Sequence, residues 1–128
     1  MPIHIEISDL DRLVLAVVLG DVTPDDIAEV AREFVKSGRQ HYGKIIDTTA
    51  GNAVVDENRL AAIAAFMRAD PKAGSRGPLA FVVDAKRGEI AQKFADMTVD
   101  ERPVKVFHSL RAARAWVREN TKVDPNLG

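Results

Sequence analysis

The sequence predicts an α/β domain: a mostly parallel five-stranded sheet with an antiparallel first strand and about four helices. Three observations carry this. Two strand-length runs, Leu13 to Leu19 and Leu79 to Val83, are apolar throughout, as strands covered on both faces are. Other segments place apolar residues at i, i+3, i+4 and i+7, the stripe of an amphipathic helix. Beyond Leu13 the two patterns alternate, which implies parallel pairing through right-handed crossovers.

Ile3-His4-Ile5-Glu6-Ile7 alternates strictly and predicts a half-buried strand with His4 on its wet face. Ser8 to Asp11 is turn-rich and too short for a crossover, so antiparallel addition of this strand is the default; its neighbour stays open. Arg12 to Gly20 is the first fully buried strand, and Gly20-Asp21-Val22 reads as a turn. Thr23-Pro24-Asp25-Asp26 then opens a helix: a capping hydroxyl, a proline suited to the first helical position, and two acids at the positive end of the dipole. Ile27, Val30, Ala31 and Phe34 form its stripe, and Gly38 ends it.

A central strand follows over Lys44 to Thr48. A second helix runs from about Asp56 to Asp70, with Leu60, Ile63, Ala64 and Met67 as its stripe. Leu79 to Val83 is the next strand. A short third helix carries Ile90, Ala91 and Phe94. Val104 to Phe107 alternates and suits a strand at or near an edge. Ser109 caps a last helix with Leu110, Ala113, Trp116 and Val117 inward. The order is β-β-α-β-α-β-α-β-α in one domain spanning 1–128, with a loose, patternless tail over 121–128.

Composition narrows the function classes. The 128 residues contain no cysteine, which removes disulfides and thiolate metal sites. A net charge of −1 argues against a nucleic-acid binder, although residues 1–60 hold 11 acids against 6 bases and the remainder 8 against 12. No apolar run approaches the roughly 20 residues of a membrane span, and no signal pattern opens the chain, so the cytoplasm is the expected location and any membrane contact is at most peripheral. The three histidines lack ligand spacing, and the Gly74 to Pro78 segment precedes a strand instead of opening a helix, so no cofactor is expected.

The element order, the Arg12–Gly20 strand ending in glycine, Lys44-Ile45-Ile46-Asp47, and the closing Val106-Phe107 followed by Ala112 to Val117 together resemble the STAS domains, more narrowly the bacterial SpoIIAA-like proteins. The resemblance spans about Ile3 to Glu119. In anti-sigma-factor antagonists of that fold, the loop before the second helix reads Asp-Ser-Ser/Thr-Gly-Leu, and its second hydroxyl residue is phosphorylated. The matching stretch is Asp56-Glu57-Asn58-Arg59-Leu60, which keeps the Asp and Leu but has no hydroxyl. The resemblance thus implies a partner-facing edge without that phospho-switch.

The candidate binding residues are Asp47, Thr48 and Thr49 at the central strand's end, with Asp56, Glu57, Asn58 and Arg59 at the next helix. Ligands of α/β sheets are met outside the carboxyl ends of strands. A plainer role is available for each: Asp47 can shape its turn, and Asp56 can simply cap a helix. Small residues Ala61, Ala62, Ala64 and Ala65 suggest a second helix buried on two sides, by another copy in a homodimer or by a small apolar, lipid-like ligand; core packing alone is the other reading. Arg111, Arg114 and Arg118 form a basic stripe suited to an acidic partner or lipid head groups, or to solvent. The expectation is a non-catalytic binding or regulatory domain whose target is a protein partner or that apolar ligand. The alternative is Mg²⁺-dependent phosphotransfer by a strand-end cluster of Asp21, Asp47, Asp84 and His108.

Overall fold

A computed structural model describes residues 3–53, Asn58, Ala61, Ala62, Ala65, residues 77–84, Gln92, Lys93, Ala95, Asp96 and residues 103–121. The strands are β1 (Ile3–Ser8), β2 (Leu13–Val18), β3 (Gly20–Val22), β4 (Gly43–Asp47), β5 (Gly51–Ala53), β6 (Leu79–Val82) and β7 (Val104–Phe107); the helices bounded at both ends are α1 (Pro24–Ser37) and α2 (Leu110–Asn120).

Five strands form one sheet in the order β1-β2-β4-β6-β7. β1 runs antiparallel to β2, Ile3 opposite Val18 and Ser8 opposite Leu13, which decides the neighbour that the sequence leaves open. The other pairs are parallel, with Val17 beside Asp47, Asp47 beside Val82, and Val82 beside Phe107. Their carboxyl ends therefore share one rim. β6 is buried at all four positions, and β7 is an edge, as their apolar and alternating patterns predict.

Alternation sorts the core into two layers, because successive strand residues face opposite sides. On one face α2 sets Ala113 and Val117 among Leu15, Ile45, Ala80 and Val82. On the other, Ile27 and Val30 of α1 pack with Ile3, Ala16, Val18 and Val22, and Ile27 and Ile46 also reach Leu79, Phe81 and Val83. Both helices start as the sequence predicts. Thr23 accepts from the Asp26 amide while the Asp26 carboxylate accepts from the Thr23 amide, a reciprocal cap; Ser109 accepts from the Ala112 amide. Gly38 closes α1 in the left-handed conformation, at φ 70°.

Three expectations need adjusting. The described residues bound two helices, not four. Asn58, Ala61, Ala62 and Ala65 are helical, as are Gln92, Lys93, Ala95 and Asp96, but the stripe residues expected in those two middle helices lie outside the described residues. Gly20–Val22, predicted as a turn, is a strand that pairs in parallel with Gly51–Ala53. Three residues are too few to show a periodicity. The pairing also depends on a glycine: a Cβ on Gly51 would lie 2.3 Å from a Val18 methyl and 2.8 Å from the Val18 carbonyl oxygen. Finally, Thr121, expected in the loose tail, is the C-cap of α2, with its amide and hydroxyl both donating to the Val117 carbonyl.

Candidate functional site

At the rim, β4 ends in Asp47 and the chain turns through Thr48, Thr49 and Ala50. Asp47 Oδ1 accepts from the Thr49 amide at 3.0 Å and the Thr49 hydroxyl at 2.7 Å. This Asx-type turn lets a short carboxylate stand in for backbone pairing. Thr48 is drawn the other way, its amide and hydroxyl donating to the Val82 carbonyl at 2.8 and 3.0 Å. Gly51 N donates to Thr48 O and Gly20 N to Ala50 O, both at 3.1 Å, which fastens the turn to the β2–β3 corner. Asp47 and Thr48 are thus occupied in shaping the loop, and Thr49 is its exposed tip.

The corner brings a residue that the sequence reading passed over. Leu19 is 49% exposed, immediately before the glycine bonded to Ala50. The signal was present: the apolar run Leu13 to Leu19 is one residue longer than β2, and the surplus residue stands on the rim. Asn58 is helical and exposed, five residues after β5 leaves the same corner. Asp56, Glu57 and Arg59 lie outside the described residues.

Asp47 ends its strand, and Asp84 and His108 follow the ends of the neighbouring strands. His108 places Nδ1 3.2 Å from the Val83 carbonyl, and Asp21 belongs to β3. Among the described residues, no three acids or histidines converge as a metal ion would require. The carboxylate cluster of the phosphotransfer alternative is therefore not assembled by the described residues. On the outer side of α2, Arg111, Arg114 and Arg118 line an open depression of about 430 Å³ with Leu110 and Ala115. All three arginines are exposed, as a solvated helix face predicts. No helix among the described residues is long and apolar enough to cross a membrane.

The opposite end of the sheet carries an ion pair. Asp9, in the β1–β2 turn, accepts from Arg39 Nε at 2.9 Å and from the Tyr42 hydroxyl at 2.7 Å. The Arg39 hydrogen bond, followed by that from Tyr42, holds the Asp9 carboxyl below its ordinary value of 3.8; the bond to Asp9 pushes the Tyr42 phenol above its ordinary 10.0. A lowered carboxyl pKa stabilises the fold above pH 3.8 and ceases to do so as pH falls through the folded-state value. A raised phenol pKa stabilises the fold below pH 10.0 and is lost as pH rises through the folded-state value. Replacing Tyr42 with phenylalanine should move the Asp9 titration midpoint upward while the Arg39 contact keeps it below the ordinary value; carboxyl-carbon NMR titration checks this. An unmoved midpoint would show that the phenol does not act on Asp9.

No protein-family model matches the chain, and no curated protein matches it in sequence. Among solved structures, it is similar to an uncharacterized protein of the DUF3478 family with a SpoIIAA-like fold from Shewanella loihica PV-4. The TM-score is 0.60 and the identity 18%, over 90% of this chain and 91% of that one. At that identity the likeness speaks to architecture alone. The chain has a SpoIIAA-like α/β fold.

Proposed function

We propose that this is a non-catalytic binding domain that holds a protein partner at the rim formed by Leu19, Asp47–Thr49 and the helix at Asn58. One observation supports this above the others. The rim's polar groups are spent on its own shape, with Asp47 held by Thr49 and Thr48 by Val82, while Leu19, Thr49 and Asn58 face outward. Catalysis needs a nucleophile or base held ready beside a reacting atom. A fixed loop presenting an apolar side chain and polar tips suits recognition instead. The missing hydroxyl at Glu57 and Asn58 leaves binding there without the family's phosphorylation switch.

Site-specific photocrosslinking in cells tests the reading. A crosslinker at Thr49 or Asn58 should trap the same protein, and one at Asp11, in the turn at the far end of the sheet, should not. Equal trapping from Asp11, or none from the rim, would overturn the proposal. Extractable apolar material whose release follows Leu19→Lys would replace the protein partner with a small ligand.

A further inference from the structure

We propose that a second copy of this chain adds across the outer edge of β1, joining two sheets into one through an antiparallel β1–β1 pair centred on Ile5. This surface is distinct from the rim, and the inference stands or falls independently of the binding role proposed there.

The sheet has two edges, and they differ. β7 is four residues long and carries the exposed cation Lys105, a common device for discouraging strand addition. β1 is six residues long, Ile-His-Ile-Glu-Ile-Ser, with neither lysine nor proline among them. It pairs with β2 alone, so alternate backbone groups along its outer side have no strand partner among the described residues.

The sequence of this edge is complementary to itself. Antiparallel pairing about Ile5 sets Ile5 against its own copy, Ile3 against Ile7, and His4 against Glu6. A twofold axis through the pair makes every contact occur twice. It also keeps the isoleucines on the α1 face of both sheets. There Ile3 is 7% exposed but Ile7 is 43% exposed, so Ile7 is the end with apolar surface left to cover. On the other face, His4 Nε2 lies 3.4 Å from Glu6 Oε1 within the strand, and their side chains are 62% and 66% exposed. Pairing would close them into a four-residue ring of alternating acid and imidazole. A six-residue edge offers less area than a standard-size interface of about 1,600 Å², so the association is weak and concentration-dependent.

Sedimentation equilibrium over a concentration series reads the result. The unmodified chain should pass from monomer to dimer. Glu6→Lys, on an exposed position, should keep the monomer's circular dichroism and weaken association about ten-fold, because both cross-strand carboxylate–imidazole contacts are lost and a lysine is set on the edge. His4→Glu should weaken it similarly. Mixing the two variants should restore a mixed dimer, because each new charge then faces its opposite. A monomer throughout, a dimer indifferent to both substitutions, or a mixture no more associated than its components would each overturn the proposal.

Discussion

Gly77→Ala is expected to lower the free energy of unfolding by about 3 kcal/mol, the upper part of the range for overpacking. Gly77 is buried, and a Cβ there would lie 2.2 Å from the Tyr42 carbonyl oxygen and 2.6 Å from that of His41. Both obstacles are backbone, so no side-chain rotation relieves them. The segment before β6 would have to draw away from the segment before β4, breaking the 2.9 Å bond from Gly77 N to Gln40 O. Urea denaturation checks the figure. A loss below 1 kcal/mol would mean that the two segments separate easily.

Lys44→Ala is expected to cost about 3 kcal/mol, combining lost hydrogen bonds with a cavity. Lys44 is 6% exposed, and its ammonium donates to the carbonyls of Gln40, Tyr42 and Gly77 at 2.8, 3.2 and 3.3 Å, while lying 5.5 Å from the Phe34 ring centre. A desolvated cation is tolerable only where such oxygens replace water. Lys44→Met, which keeps the stem volume, should recover about half of the loss, separating packing from polar bonding. Because Gly77 contributes one of the three carbonyls, the Lys44→Ala, Gly77→Ala double variant should lose less than the two single losses added together. Strict additivity in the same denaturation series would show that the two residues stabilise separate features.

These two positions also show how far the sequence is legible. Leu13 to Leu19, Leu79 to Val83 and the Ile27-Val30-Ala31-Phe34 stripe identify buried strands and a helix because periodicity is a local property, readable within one segment. Thr23, Gly38 and Ser109 mark helix ends for the same reason: the groups they satisfy lie within a few residues. Lys44 is different. Nothing near it reveals a buried ammonium, since one of its three carbonyls comes from a residue 33 positions later. Of the candidate site, Asp47, Thr48 and Thr49 were legible as a strand end, but not which of them is exposed. Thr48 is occupied by Val82, 34 residues away, and Leu19 joins the rim only through the corner that Gly20 and Ala50 form.

The sequence by itself determined the five strands of the main sheet, α1 and α2 with their inward faces and N-terminal caps, and the parallel run of strands. Each of these follows from side-chain spacing and backbone requirements within one stretch of chain. Only the tertiary structure decided that β1 lies against β2 at an edge of the sheet, that Gly20–Val22 and Gly51–Ala53 pair, and that a lysine sits inside. Those outcomes depend on hydrogen bonds and close approaches between segments distant along the chain, and three-residue ladders and carbonyl cages leave no pattern in either segment alone.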